Sequence, residues 1–521
     1  MSFNLATMLR ESAAAGPDRP CLLFAGRPVT YGELDELSTA FARGLRALGL
    51  GRDDVLAMSL PNLTEFVVAY FGALKAGVIV MPLNPLLKSG ELAYHLTDSG
   101  ARHLVCYEPL VPVAQGTGVA GLEVYAVPVP GSEPAPPPEG THAFTELLRR
   151  DEPDEAERIA GDITPTSADD TAVLLYTSGT TGRPKGAELS HFQLYMNCSV
   201  GSDLFDVRSD DVAFGGLPLF HVYGLSSVLN TAVRTGGAVS LLPRFDGQAA
   251  LDQIAADGVT VMVGVPTMYA AILAADRTGR DLSRLRIGNS GGAPMPAELL
   301  RAFEAAFGVV ILEGYGLSET ASAASFNRSV DDRRFMSVGR PMWGVEMRVV
   351  DEHDRPLPPG PDNVGEIVVR GHNVIMRYRN RPEETAEAFR NGWFHTGDLG
   401  YVDDDGYLFI VDRMKDLVIR GGYNVYPREV EEVLYEHPGV AEAAVIGVPD
   451  ERLGEEVVAV VALRHGAAVT PDELVTYCAD RLAAYKYPRA VRLVDELPKG
   501  PSGKILKSEL RVSCADAATG V

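Results

Sequence analysis

The chain has 521 residues, too many for one ordinary core, so two or more domains are expected. A composition that is 46% hydrophobic and 22% charged is that of a globular protein, and five widely spaced cysteines without a CxxC pair argue against a zinc or disulfide framework. With 47 basic against 70 acidic residues the net charge is −23, which argues against nucleic acid and anionic membrane surface as partners.

Taken in chain order, the elements predict an α/β protein. Arg10 and Glu11 interrupt the N-terminus before any apolar run, so no leader is expected and the protein is expected to be cytoplasmic. Thr30 and Glu33 form a capping box, and Leu34, Leu37, Phe41, Leu45 and Leu48 follow at helical spacing, which predicts the first helix. Runs rich in Val and Ile (VLAMSL, VIVMPL, HLVCY) then alternate with helical patterns (TEFVVAYFGALKAG, SGELAYHLTDSG), as in layered α/β with mostly parallel strands. The richest apolar stretch is broken by Lys75 and Gly77, so no integral membrane association is expected. Residues 127–142 are proline-rich and predict a surface loop. A second α/β unit is predicted to begin at DTAVLLYTS and to run to about residue 340. Beyond it, residues 345–371 and GYLFIVDR read as hairpin strands of an antiparallel β element. From residue 416 a small α+β unit is expected, with strands EAAVIGVPD and EVVAVVALRHG and a helix over 471–485.

The eleven residues Thr177–Ala187 hold three glycines, four hydroxyls and one lysine, entered from a strand. Gly179 and Gly182 can turn N–H groups inward, Ser178, Thr180 and Thr181 offer hydroxyls, and Lys185 adds a point charge, which is the chemistry of phosphate binding. It is not the loop of a kinase or GTPase. That pattern, GxxxxGK[ST], needs a magnesium-binding hydroxyl after the lysine, whereas Lys185 stands between Pro184 and Gly186. Lysine is scarce, eight against thirty-nine arginines, so a lysine inside a motif marks a place where a compact charge matters. Residues 481–511 carry a net charge of +5, either as a solvated surface patch or as a local device for meeting phosphates.

The segments YTSGTTGRPKG (176–186), GYGLSET (314–320), HTGDLG (395–400), DRMKDLVIRGG (412–422) and PKGPSGKILK (498–507) together resemble the ordered motif set of the adenylate-forming superfamily. Acyl-CoA synthetases, amino-acid adenylation domains and firefly-type luciferases belong to it. The resemblance covers essentially the whole chain. It implies a large N-terminal adenylation domain (1–411), a hinge (412–415) and a small mobile C-terminal domain (416–521). It also implies an AMP-forming acid–thiol ligase that uses ATP, Mg²⁺ and coenzyme A: a carboxylate displaces pyrophosphate from ATP, and the thiol then displaces AMP.

On that resemblance, Thr177, Ser178, Gly179, Thr180, Thr181, Gly182 and Lys185 hold the β and γ phosphates. Tyr315 lies against adenine beside Gly316, Ser318 touches the α-phosphate and Glu319 holds Mg²⁺. Gly292 and Ala293, in SGGAP, approach the base. Asp398 accepts the ribose hydroxyls and Arg413 donates to the same sugar. Lys504 bridges the substrate carboxylate and the forming acyl phosphate, Lys415 is the hinge, and Gly421 and Gly422 wall the pantetheine channel.

For the acid, LPLFHVYGL (217–225) resembles the segment of fatty-acyl and aryl-acid synthetases whose histidine, here His221, borders the acyl pocket. An amino-acid adenylation domain carries an aspartate there, which disfavours amino acids. Small or flexible groups at the presumed wall (Met268, Gly291, Gly292, Ala321–Ala324) suggest a long tunnel and favour a medium- to long-chain fatty acid. Aryl acids of the 4-coumarate type are the alternative, since their ligases share FHVYGL. No cation for a second carboxylate is evident, with the placement of Arg340 and Arg377 left open. A fatty-acyl-AMP ligase loading a carrier protein ranks second as acceptor chemistry, and a luciferase-like monooxygenase is the competing class. A monomer or homodimer is expected.

Overall fold

Two sheets, each mostly parallel, share the main core. The computed structural model describes residues 3–149, 162–178, 183–450, 452–500 and 503–518. Among them, one sheet has seven strands in the order His142–Ala143, Glu123–Val127, His103–Tyr107, Val55–Ser59, Ile79–Pro82, Thr171–Ser178 and Pro184–Ser190. The other has nine: Arg340–Pro341, Ser325–Phe326, Val310–Tyr315, Ile287–Ser290, Val261–Gly264, Val212–Gly215, Ala238–Leu241, Pro20–Phe24 and Arg27–Thr30. Helix Thr64–Ala76 is apolar on all sides because it has no solvent face: Phe66 to Ala76 are all buried. Lys75 survives there because its ammonium donates to the Asp35 carboxylate (2.7 Å), the Asp35 carbonyl (2.8 Å) and Thr39 Oγ1 (2.8 Å).

The capping box opens helix Tyr31–Ala47: Thr30 Oγ1 accepts the Glu33 N–H while the Glu33 carboxylate accepts that of Thr30. Leu34, Phe41 and Leu45 are buried as the spacing requires, whereas Leu48 lies past the helix end, exposed. This is the second helix. An uncapped helix, Thr7–Ala15, precedes it, too short and too weakly patterned to be read from sequence.

The strand expected to start the second α/β unit instead extends the first sheet. Val173 pairs in parallel with Val80, and the second sheet takes Pro20–Phe24 from the N-terminus, beside Ala238–Leu241. Propensity marks a strand but not its neighbour, which is chosen by the faces the core must cover. Of residues 127–142, those between strands Glu123–Val127 and His142–Ala143 form the expected, mostly exposed connection.

An antiparallel sheet follows, Val345–Val350, Gly365–Gly371, Trp393–Val402 and Phe389–Arg390, with Leu408–Arg413 pairing the long third strand so that Asp398 faces Arg413. The smaller C-terminal domain has its own core around Val418, Val445, Val457, Val461 and Leu474. Its long hairpin, Val440–Asp450 and Gly454–Leu463, is flanked by helices Pro427–Tyr435, Pro471–Ala479 and Lys507–Ala518. The middle helix stops short of the expected residue 485, and successive turns beyond it still pack Leu482 and Tyr485 on the core. All five cysteines are free and buried, and burial pushes the Cys21, Cys106 and Cys198 thiols up to about 12. The fold is thus mixed α/β, a large N-terminal domain and a smaller C-terminal one. No helix among the described residues is long and apolar enough to cross a membrane.

Candidate active site

Four neighbouring parallel strands, Val212–Gly215, Val261–Gly264, Ile287–Ser290 and Val310–Tyr315, end on one side of the large sheet. Their carboxyl ends lead into His221, Thr267, Gly291–Ala293 and Tyr315–Glu319, the usual place for a ligand in an α/β sheet. At Gly316 the chain reverses so tightly that a Cβ would stand 2.0 Å from the Ser322 carbonyl oxygen, so glycine is required by packing. The reversal presents the turn Ser318–Thr320, closed by the Leu317 N–H on Thr320 Oγ1 (2.8 Å).

Glu319 is held from two directions. Thr177 Oγ1 and the Tyr378 hydroxyl both donate to its Oε1, each at 3.0 Å. Its Oε2 has no hydrogen-bond partner among the described residues, which leaves it free for a cation. One carboxylate oxygen beside phosphate-binding groups fits Mg²⁺, which takes few protein ligands and keeps phosphate and water for the rest. Strands Thr171–Ser178 and Pro184–Ser190 pair Thr177 with Lys185, and the Lys185 ammonium stands 5.6 Å over the Tyr378 ring. Ser178 ends the first strand; Gly179, Thr180, Thr181 and Gly182 lie outside the described residues.

Asp398, buried, is the second anchor. The Tyr315 hydroxyl donates to Oδ2 at 2.6 Å, and Arg413 Nε approaches Oδ1 at 3.2 Å from the facing strand. Burial and the Asp398 charge push the Tyr315 phenol well above its ordinary range, so it remains a donor. Ser318, Gly316 and Tyr315 therefore share one loop with Glu319, and Gly292, with φ +76°, and Ala293 lie on the next.

The C-terminal domain places Lys504 at this centre. Thr267 Oγ1 donates to the Gly503 carbonyl at 3.0 Å, and Gly503, at φ +77°, lets the loop approach so closely that a Cβ would meet that hydroxyl at 2.7 Å. Burial, with the Arg413 charge, lowers Lys504 to about 8, against the opposing pull of Asp398 and Asp416. Among the described residues Lys504 makes no ion pair. Its charged neighbours in the basic segment are already neutralised: Lys486 by Glu429 (2.6 Å), Lys499 by Glu442 (2.9 Å), Lys507 by Glu431 (2.7 Å) and Arg511 by Asp416 (2.6 Å). The segment is thus largely an internally paired surface, with Lys504 as its available ammonium.

Burial and the Lys504 charge also lower His221 to about 4. Its Nδ1 accepts the Tyr223 N–H at 3.2 Å, so the neutral ring carries its proton on Nε2. The wide π-type helix Tyr223–Asn230 borders a mainly apolar cavity whose wall includes Phe205, Val228, Val263 and Phe326, with Asp211 and Asn289 among its polar residues. Of the small residues expected at the wall, Ala323 lines this cavity. A Cβ on Gly291 would already meet Tyr223 Oη at 3.1 Å, and Ala321 and Ala324 are fully packed. Arg377 pairs with Glu188 (2.7 Å) and Arg340 with Asp332 (3.5 Å) over the Tyr407 ring, and neither lines this cavity.

Of two further predicted groups, Lys415 lies near enough for its charge to act on Lys504. Lys415 is exposed in the turn Met414–Asp416, and Gly421 and Gly422, with φ of +58° and +84°, form a hairpin turn whose Gly421 N–H donates to the Leu453 carbonyl (2.7 Å) within the C-terminal domain. Conversely, Tyr378 and Thr267 belong to the site without any motif to announce them. As a whole, Lys185, Lys504 and Arg413 can neutralise two anions brought together, while Asp398 and Glu319 offer acceptors for a sugar and a cation.

Residues 9–379 match the family described as AMP-binding enzyme, and residues 429–504 match its C-terminal domain. A feruloyl-CoA synthase from Amycolatopsis sp is 40% identical over 503 residues, 96% of each chain. A long-chain-fatty-acid–CoA ligase from Bacillus subtilis is 36% identical over 530 residues, 97% of this chain and 94% of that one. The crystal structure of ATP-bound MatB from Rhodopseudomonas palustris superposes with a TM-score of 0.88 at 35% identity, covering 99% of this chain and 100% of that one.

Proposed function

Because the chain belongs to the AMP-binding enzyme family and is an AMP-forming acid–thiol ligase that makes acyl-CoA, we propose that its acid has an uncharged, mainly apolar tail: a medium-chain fatty acid or an aryl acid of matching length. The observation that carries this reading is the cavity beside helix Tyr223–Asn230, whose described lining is mainly apolar and holds no lysine, arginine or histidine, its one carboxylate, Asp211, being paired with Arg286. A second carboxylate would be buried there without a partner, at a cost of several kcal/mol. Relatives named for feruloyl and for long-chain fatty acids agree with a tail of this character.

In this reading Lys185 and Thr177 bind the departing phosphates, Asp398 and Arg413 orient the sugar, and Glu319 holds Mg²⁺, which lends charge neutralisation when bound. Lys504 sets its ammonium where the carboxylate and the α-phosphate meet, and neutral His221 directs Nε2–H toward the same place. Coenzyme A then enters after the C-terminal domain has turned about Lys415 and carried Gly421 and Gly422 inward. The test is ATP- and Mg²⁺-dependent AMP release with octanoate, palmitate, cinnamate and malonate, each with and without coenzyme A, with mass detection of the thioester. Octanoate or cinnamate should lead. Malonate turning over fastest would overturn the uncharged-tail reading.

A further inference from the structure

The strand that leaves the phosphate loop has a short segment paired along its outer side. Pro184–Ser190 is the edge strand of its sheet, and residues 377–379 run antiparallel beside it, with Tyr378 opposite Ala187. The Arg379 N–H donates to the Gly186 carbonyl (2.8 Å) and the Glu188 N–H to the Arg377 carbonyl (3.3 Å). Side chains alternate along a strand, so the pairing has two faces. Tyr378 shares one face with Ala187 and Lys185: its ring lies by the Lys185 ammonium, and its hydroxyl, kept protonated by burial and the Glu319 charge, donates to Glu319 Oε1. Arg377 and Arg379 take the opposite face, and there they meet Glu188.

Glu188 is buried, and its described partners all lie outside the catalytic centre. Arg377 Nε donates to Oε2 (2.7 Å), Arg379 Nη1 to Oε1 (3.4 Å) and Thr171 Oγ1 to Oε2 (3.3 Å). Arg377 and Arg379 flank Tyr378, so one buried anion grips the segment on both sides of it. The grip bears on register: a slip of one residue would turn Tyr378 to the Glu188 face, away from Glu319 and Lys185. The same stretch of chain also touches the turn that carries Glu319, since the Ile375 N–H donates to the Glu319 carbonyl (2.8 Å).

We propose that Glu188 is a positioning residue for the metal-dependent binding of the nucleotide: by pinning Arg377 and Arg379 it holds the Tyr378 hydroxyl on Glu319 Oε1 and leaves Oε2 free for the cation. This rests on the assignment of Mg²⁺ to Glu319 and deepens it. A buried ion pair adds little net stability but can select one arrangement among several, which is the task here. With Tyr378 out of register, Glu319 would keep Thr177 as a partner and lose the second direction of its hold.

The experiment is calorimetric titration with the non-hydrolysable ATP analogue AMPPNP, in Mg²⁺ and in EDTA, so that the ratio of the two dissociation constants reads the metal-dependent gain in affinity without turnover. In the wild type Mg²⁺ should tighten binding, and Glu319→Gln should remove that gain. Glu188→Ala should cut the gain by about tenfold, as should Tyr378→Phe, which keeps the ring beside Lys185 and loses the hydroxyl. The double variant should lose no more than either single one, because both act through one hydrogen bond. A full gain in Glu188→Ala, equal weakening in Mg²⁺ and in EDTA, or losses that add in the double variant would overturn the positioning role. Should Glu188→Ala not fold, Arg377→Gln decides: that side chain is 59% exposed, and its replacement should lower the gain by about threefold, an undiminished gain overturning the proposal. A gain absent from the wild type, or one that survives Glu319→Gln, would instead strike the assignment of Mg²⁺ on which this rests.

Discussion

The two halves of the site are built on opposite principles. On the large domain the carboxylates have been given partners: Asp398 by Tyr315 and Arg413, Glu319 by Thr177 and Tyr378, Asp211 by Arg286. On the C-terminal domain the group that reaches the centre, Lys504, has no ion-pair partner among the described residues, and burial with the Arg413 charge lowers it to about 8. A network that satisfies itself is preorganised and costs nothing further when substrates arrive. An unpaired, half-buried ammonium is poorly placed until anions arrive, so the two domains divide into a receiving face and a delivered charge.

The strongest way to break this contrast is Lys504→Ala. Acyl-adenylate formation should fall by roughly 10²- to 10³-fold while thiolysis of a supplied acyl-adenylate stays nearly unchanged. Equal losses in the two half-reactions would mean that Lys504 is structural. The same lysine predicts a pH limb: as pH rises through about 8 the free enzyme loses the ammonium, so kcat/KM for adenylation should fall there. Lys415→Pro should act on the opposite half-reaction. Fixing φ in the exposed turn Met414–Asp416 should leave adenylation intact and reduce thioester formation at least tenfold, and unchanged thioester formation would show that the hinge lies elsewhere.

How legible each half was in the sequence follows from the same contrast. Tyr315, Glu319, Asp398, Arg413 and Lys504 stood out because each sits in a short motif that resembles the adenylate-forming set. Tyr378 and Thr267 could not. Tyr378 acts on Glu319 from 59 residues away and Thr267 on Gly503 from 236, and neither contact leaves a trace in local spacing. The individual strands were readable from their apolar runs, but the pairing of Val173 with Val80 was not, since the partner of a strand is a tertiary choice. The small residues near the cavity leave the tail's length open for a related reason: a glycine marks close approach, and whether a ligand or a side chain such as Tyr223 fills the space depends on the packing around it.

Where the domains meet, Glu313 offers a finer test. It is 6% exposed, two residues before Tyr315 on the same strand, and burial raises its carboxyl to about 7 against the opposing pull of Arg428 and Arg333 and the Met295 N–H, with Glu432 adding to the rise. An unfolded glutamate titrates near 4.5, so between about 4.5 and 7 the folded chain binds the extra proton. Stability therefore falls as pH rises through that window, and the cost is complete above it. Glu313→Gln, which imitates the neutral acid, should be close to neutral at pH 5 and raise unfolding stability by about 1–3 kcal/mol at pH 8. A pH-independent effect would place the cause in packing.

Thr267→Val is the smallest change and the most direct probe of delivery. Valine keeps the shape of threonine but removes the one hydroxyl that donates to the Gly503 carbonyl (3.0 Å), the single such bond between the Lys504 loop and the large domain among the described residues. A neutral hydrogen bond is worth about 0.5–1.5 kcal/mol, so adenylation should slow by roughly 2- to 10-fold, with thiolysis unaffected. If Lys504 is delivered by the docking of its loop, the loss belongs to the first half-reaction alone. If instead the loop is set by the fold of the C-terminal domain itself, Thr267→Val should leave both half-reactions unchanged, and the division between a receiving face and a delivered charge would have to rest on Lys504 without its dock.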